Sequence, residues 1–416
     1  MERSTTGPTQ RPTRASRRWL RWLGVALALA LVPVVVYRTE LTRLWRFAGV
    51  FDADRIVHDF QHMEEILDFR IVEAGGDVLE LARGRYELPA SFRYGDRVFD
   101  TEQFLAEQQT TGLLVLHGDT ILLERYAHGL TPAGHHIAWS VTKSVVSALF
   151  GIAVSEEHVP DIQVPVTHYL PELAGSGYDG VPIKDVLQMS SGVRFDEDYG
   201  DPFSDINRMG PSMAVGSLLD FAASLKRERP PGTRQHYVSV DTQVLGEILV
   251  RATGRHLADY ASEKLWKPLG MEFDAIWLVD GTGMEWAFGG LNASLRDLAR
   301  FGWLYLNGGR RNGRQIVPQA WVTASVTPDA PHLVPGPKPG TTETMGYGYQ
   351  WWIPAEPRGD FMALGVYGQT IYVDPGTRLV VVKNAVDLDF QQNDFENEQI
   401  ALALWRAIAA DLGATP

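Results

Sequence analysis

The chain has 416 residues, 45% of them hydrophobic and 21% charged, enough for one large or two modest globular domains. It contains no cysteine, which excludes disulfides, thiolate metal sites, cysteine nucleophiles and a lipidated N-terminal cysteine. The net charge of −13 is uneven, with +7 in residues 1–46 and −20 in the remainder, so the body of the protein is a poor candidate for binding nucleic acid.

In chain order, residues 1–18 are rich in Arg, Thr and Pro and read as a disordered tail. Residues 19–38 read as a transmembrane anchor built on "WLRWLGVALALALVPVVVY". Nineteen residues at ~1.5 Å each span roughly 28 Å, close to the hydrocarbon thickness. Arg21 can snorkel to the headgroups, and the Arg excess ahead of the run favours a cytoplasmic N-terminus. The expectation is a single-pass protein of the inner (cytoplasmic) membrane with the body of the protein periplasmic or otherwise extracytoplasmic. The competing reading is a secreted protein released by signal cleavage; against it, no small-x-small site follows the apolar run.

Residues 39–70 read as an amphipathic juxtamembrane helix. In it, "HDFQHMEE" sets His58 and His62 at i, i+4, a spacing that can hold a metal. The HExxH pattern is absent, so a solvated or interfacial face is the better reading, and no metal or cofactor is expected. From residue 71 to 416 the chain reads as one globular domain. "TTGLLVLHGDTILLERYAHG" (Thr110 to Gly129) predicts a β-hairpin. A helix begins near Ser140. Residues 158–274 are mostly helical and loop-like. Strand patterns return in "GYGYQWWI", "FMALGVYGQTIYVDP" and "TRLVVVKNAV", and a final amphipathic helix closes the chain. The Pro/Gly-rich stretch from Pro328 to Thr344 reads as a loop at the rim of a site. Strands from both ends with helices between predict an α/β (α+β) fold. An antiparallel sheet would be flanked by helices, with an all-helical subdomain inserted over 158–274 and a cleft between the two.

The helix of "HHIAWSVTKSVVSALFGIAV" carries one positive charge, Lys143, three residues after Ser140. Positions i and i+3 share a helix face. Ser140 would sit at the positive helix end, where a developing anion is stabilised. Lys143 would be desolvated among Val, Ala and Leu, which lowers its pKa and lets it accept a proton from serine. The bland alternative is an ordinary N-cap serine with a snorkelling lysine. This is the one S-x-x-K in the chain, and a lone lysine on an apolar helix needs a reason. Tyr237, ahead of a second helix start, could relay protons, and a neighbouring lysine would help it lose its own. His236 beside it invites a Ser-His-Asp reading, but no G-x-S-x-G elbow exists. His135 and His136 read as loop or edge residues.

Together, S-V-T-K at 140–143 and Tyr237 resemble the penicillin-recognising serine hydrolases. The class C β-lactamase-like branch fits best, with its esterases and 6-aminohexanoate-dimer hydrolases. "VLQMSSGVRFDEDY", "LWKPLGM", "GGLNASLRDLARFGWLYLNGG" and "GVYGQTIYVDP" extend the resemblance from about Thr110 to the C-terminus. It implies Ser140 as the acylated nucleophile and Lys143 and Tyr237 as partners in acid–base work. It also implies that Tyr367-Gly368-Gln369 stands for the K-T-G motif, with the N–H groups of Ser140 and Gln369 as oxyanion hole. Tyr199 and Asn292 resemble residues that contact the substrate amide, and Ser239 replaces the amide of the family's Y-x-N. The K-T-G lysine is absent, with Val366 or Tyr367 in its place, which disfavours substrates that present a carboxylate there. The expected function is hydrolysis of a small amide or ester through an acyl-serine. The alternatives are a β-lactamase or D,D-peptidase, and a non-catalytic binding or sensor module on the same fold.

Overall fold

A computed structural model describes residues 22–23, 38–338, 343–392 and 395–413. The tail before residue 22 and most of the predicted anchor, residues 24–37, lie outside the described residues. Among the described residues no helix is long and apolar enough to cross a membrane.

The N-terminal segment departs from expectation. Helix α1 (Arg38–Ala48) does not continue to residue 70. It gives way to a 3-10 turn at Gly49–Phe51, one helical turn at Ile56–Asp59, a second 3-10 turn at Met63–Glu65, and strand β1 (Phe69–Val72). Burial explains the break. On a continuous helix Phe47 and Val50 would face one way and Ile56, Phe60 and Met63 nearly the opposite way. All five are buried, so the chain must turn to seat both sets against one body. The segment is therefore packed into the domain rather than standing off it as a juxtamembrane stalk. His58 and His62 stack with ring centroids 4.1 Å apart on its outside, and no group of three or more metal-ligating side chains occurs among the described residues.

The predicted hairpin forms. After β2 (Ala82–Arg83), β3 (Thr110–His117) and β4 (Thr120–Tyr126) pair antiparallel around Gly118, whose φ of +57° a glycine adopts without strain. Next come β5 (His136–Ile137), helix α2 (Val141–Ser155), helix α3 (Ser239–Thr253), β6 (Ala275–Leu278), β7 (Leu291–Ala293) and helix α4 (Leu295–Leu306). The C-terminal part supplies β8 (Gly346–Tyr347), β9 (Trp352–Ile353), β10 (Phe361–Gly365), β11 (Gln369–Asp374), β12 (Leu379–Ala385) and helix α5 (Glu396–Gly413). The main sheet has eight strands in the order β8-β9-β10-β11-β12-β3-β4-β2. It is antiparallel except where β2 joins β4 in parallel. A second, four-stranded sheet that the sequence did not suggest runs β1-β6-β7-β5. Between α2 and β6 the chain is helices and loops joined by isolated bridges, as the pattern predicts.

The central strands carry apolar residues on both faces because both faces are covered. Leu114 and Leu116 of β3, Ile371 of β11, and Val380 and Val382 of β12 face the core shared with α2 and α4. The alternate residues Leu113, Val115, Tyr372, Leu379 and Val381 face α5, against Leu404, Trp405 and Ile408. Helix α4 reaches the sheet through Gly302, where an added Cβ would stand 2.6 Å from Val380 Cγ1 and 2.9 Å from Ile371 Cγ2. Gly302→Val is therefore expected to cost about 1–3 kcal/mol through overpacking, read as a lowered denaturant midpoint with an unchanged m-value; an unchanged midpoint would show that the layers have slack here.

Candidate active site

Ser140 stands at the N-cap of α2, yet its side chain makes no capping bond. Its Oγ instead accepts a hydrogen bond from Lys143 Nζ at 2.7 Å. That geometry discards the bland reading of an N-cap serine with a snorkelling lysine. Lys143 is 1% exposed, and Nζ also donates to the Phe288 carbonyl at 2.8 Å and Ser239 Oγ at 3.2 Å. Burial pushes the ammonium down to about 7, against the upward pull of Glu197. Three acceptors match the three protons of an ammonium, and loss of one leaves a lone pair that can take the Ser140 proton.

Glu197 is the site residue that sequence reasoning missed, although it lies two positions before Tyr199 in the quoted "FDEDY". Its carboxylate accepts from the Ser239 backbone N–H at 3.1 Å, Ser239 Oγ at 2.6 Å and Tyr199 Oη at 2.9 Å. It thereby caps the first turn of α3. Burial raises its pKa while Lys143 opposes the rise. Lys143, Ser239 and Glu197 thus form one hydrogen-bonded line. The available signal was chemical: a loop carboxylate between two aromatic residues, near a serine that replaces a family amide.

Tyr237 reaches the site, its ring stacked on Trp352 at 5.3 Å. Lys143 Nζ lies 5.1 Å from the centroid of the tyrosine ring. Burial and Glu197 push the hydroxyl well above its ordinary 10, and hydrogen bonding to Ser140 only partly offsets this. The expectation that the lysine would help Tyr237 ionise is corrected: the phenol stays protonated and is equipped to donate.

The third motif also needs correction. "FMALGVYGQTIYVDP" looks like one strand but contains a turn at Val366–Gly368, between β10 and β11. Gly365 is the residue beside the nucleophile: an added Cβ there would lie 3.1 Å from Ser140 N and 2.7 Å from Ala138 O. Gly365 and Val366 line the cleft, whereas Tyr367, Gly368 and Gln369 do not. Gln369 is 2% exposed and spends its side-chain amide on the carbonyls of Val366, Tyr367 and Ala385. Gly368 packs near Lys383 Nζ, at 3.1 Å from an added Cβ. Tyr367, at φ +61°, joins an aromatic cluster with Phe60 and Phe390 at 5.0 and 4.4 Å. With Gly365 as the motif glycine, Ala363 holds the lysine position, so the absence of that lysine stands.

Asn292 is likewise not in the cleft lining. It pairs with Ile137 and Ile276 in the small sheet, donates to the Gly290 carbonyl at 2.9 Å, and is buried. His136 lies on the edge strand β5 of the small sheet, the second of the two expected placements, and is buried and held neutral with a pKa of about 4. His236 Nε2 lies 2.8 Å from the Phe195 carbonyl, away from any triad. The cleft itself measures about 880 Å³. Ser140, Tyr199, Tyr237, Trp352, Leu364 and Met345 line it, together with Glu197, Asp198, Glu343, Glu396 and Glu398. No Lys, Arg or His is among the described residues that line it.

Comparison with known proteins agrees with this geometry. The sequence profile described as Beta-lactamase matches residues 100–404. The 6-aminohexanoate-dimer hydrolase of Paenarthrobacter ureafaciens is 35% identical over 298 residues, covering 69% of this chain and 75% of that one. A solved structure assigned as a 6-aminohexanoate-dimer hydrolase from Bacillus anthracis gives a TM-score of 0.79 at 25% identity, covering 88% of this chain and 97% of the other. A penicillin-binding protein homologue from Pyrococcus abyssi shares the fold alone, at a TM-score of 0.57 and 18% identity, covering 75% and 76% of the two chains.

In lysine-selective NMR, one resonance should titrate near 7 instead of the ordinary 10.5. Because Glu197 holds the ammonium up, Glu197→Gln should move that midpoint to lower pH. An unmoved midpoint would break the proposed coupling.

Proposed function

This chain belongs to the beta-lactamase family and is a serine hydrolase of that family, and on that premise we propose that it cleaves small amides or esters through an acyl-Ser140 intermediate. The observation that carries the assignment is the 2.7 Å contact between Ser140 Oγ and a buried lysine whose pKa falls to about 7. Ser140 Oγ attacks the substrate carbonyl carbon while its proton passes to neutral Lys143. The backbone N–H groups of Ser140 and Val366 hold the oxyanion, the second replacing the Gln369 N–H of the sequence expectation. Collapse breaks the bond to the leaving group, and Tyr237 donates the proton that group needs. Lys143 then restores the tyrosine proton. A water molecule repeats the sequence against the acyl-enzyme, with Lys143 again as base. Ser239 and Glu197 hold the lysine between its two protonation states.

The cleft lining supports a neutral or cationic substrate. Five acidic side chains and no Lys, Arg or His line it among the described residues, and Ala363 stands where related enzymes place the lysine that holds a substrate carboxylate. This disfavours β-lactams and D-alanyl peptides, whose carboxylate would find no cationic partner on the cleft wall. A receptor role does not require the depressed lysine pKa, which speaks against a non-catalytic module. The 6-aminohexanoate-dimer hydrolase similarity supports amides of small flexible acids as the substrates to test first. Tyr199, with its hydroxyl on Glu197, forms part of the wall such a substrate would meet.

The apolar run at 19–37 and the Arg-rich stretch before it support a membrane-anchored protein with this domain on the extracytoplasmic side. Helix α1 leaves Leu41 and Trp45 exposed at 47% and 73%.

A fluorophosphonate probe should add its mass to Ser140 in the folded wild type, and Ser140→Ala should abolish turnover of amides and activated esters alike. The kcat/KM should rise with pH through about 7, as Lys143 loses its proton, and then level off. Wild-type turnover in Ser140→Ala would overturn the assignment. Stable acylation by penicillin would shift the substrate reading to β-lactams.

A further inference from the structure

Two residues at the site hold a backbone conformation that non-glycine residues rarely adopt. Trp139, directly before Ser140, has φ +44°, and Tyr367, directly after Val366, has φ +61°. Each sets the direction of a neighbouring peptide: Trp139 that of the nucleophile, Tyr367 that of the strand end beside it. Such conformations persist only when the surroundings over-determine them.

The same pair of rings supports both. Phe51 stacks on Trp139 at 6.0 Å and 23° and on Tyr367 at 6.2 Å and 17°. Phe60 meets Trp139 edge-on at 5.3 Å and Tyr367 edge-on at 5.0 Å. The Phe60 carbonyl also accepts the Ile137 N–H at 2.8 Å, fixing the chain two residues ahead of Trp139. Trp139 and Tyr367 themselves lie 6.4 Å apart. Phe51 and Phe60 come from the N-terminal segment, outside the 100–404 span that matches the family profile.

We propose that Phe51 and Phe60 form an aromatic brace that positions the Ser140 and Val366 N–H groups relative to each other, making the N-terminal segment part of the catalytic apparatus. The inference rests on the acyl-Ser140 reading above. Neither ring touches substrate; both are positioning residues that act through Trp139 and Tyr367. Aromatic contacts of this kind favour particular ring orientations, which a leucine of similar apolarity does not reproduce. A loosened brace lets the two donors drift, and misplacement by an ångström is enough to lose rate.

Phe51 gives the clean test because it is 42% exposed, so its truncation need not unfold the protein. The variants are Phe51→Leu, Phe51→Tyr and, as a control in the core on the other face of the sheet, Phe104→Leu. Each is measured for thermal unfolding, for kcat and KM on p-nitrophenyl butyrate, and for the second-order rate of Ser140 labelling by a fluorophosphonate. Phe51→Leu is expected to lower kcat and the labelling rate together by about tenfold, with KM within about twofold. Phe51→Tyr, which keeps the ring and can send its hydroxyl to solvent, should retain wild-type rates. Phe104→Leu should retain wild-type rates per folded molecule. Wild-type rates in Phe51→Leu, an equal loss in Phe104→Leu, or a loss confined to KM would each overturn the brace. Failure of the wild type to label at Ser140 would overturn the underlying assignment instead, and needs no variant to be seen.

Discussion

The structure depends on keeping one ammonium out of water. Lys143 sits on an α2 face where almost every neighbour is apolar, and its charge is answered by neutral acceptors and one nearby carboxylate rather than by a direct ion pair. A charge held this way is expensive, and the group responds by shifting toward its neutral form. The sign of the linkage follows. The unfolded lysine still binds a proton between about 7 and its ordinary 10.5 while the folded one does not, so this group's contribution to stability rises with pH over that window. Below about 7 the full penalty of the buried charge is present. The strain at the site is thus chemical as well as conformational, and the packing of both sheets around α2 is what sustains it.

That packing extends further than the hydrogen bonds. Phe47 of α1 meets Trp286 edge-on at 5.7 Å, Trp286 stacks on Phe288 at 6.3 Å, and the Phe288 carbonyl accepts a hydrogen bond from Lys143 Nζ. The loop that carries Glu197 is held in turn by the N-terminus of α3 through Ser239. The nucleophile and its base share α2, the acid Tyr237 lies just before α3, and Glu197 lies on a loop, so the site draws on three separate parts of the chain. No Lys, Arg or His lines the cleft they share among the described residues, and the one cation of the mechanism lies behind it.

Much of this was legible in the sequence where the pattern and the chemistry agreed. The Thr110–His117 hairpin strand, the Val141–Ser155 helix and the terminal helix follow from periodicity and turn residues. Ser140, Lys143 and Tyr237 follow from spacing and from the improbability of a lysine in an apolar helix. Where the sequence misled, local signals were ambiguous. The turn at Val366–Gly368, directly after Gly365, hides inside a run that is apolar on both sides, so the sequence places the oxyanion strand three residues late. The second sheet joins strands as far apart in sequence as Phe69–Val72 and Leu291–Ala293, two of them only two and three residues long, which no periodicity reveals. Glu197 acquires its role only when Ser239 and Lys143 arrive beside it in space. The 39–70 segment was read as one helix because its apolar residues recur at helical spacing on two different faces.

The eight-stranded sheet ends on both sides in strands of two residues, Gly346–Tyr347 and Ala82–Arg83. An exposed long edge would offer unpaired N–H and C=O groups to another molecule, and a hydrophobic centre such as β3, β11 and β12 would reward the pairing. Two-residue ends present too few groups to template a foreign strand. At the Ala82–Arg83 side Arg83 pairs with Glu124, adding hydration where apolar contact would otherwise begin. Beyond Ile121, where β2 stops, the rim of the sheet is charged rather than apolar: Glu124 and Arg125 of β4 are ion-paired with Arg83 and Glu102.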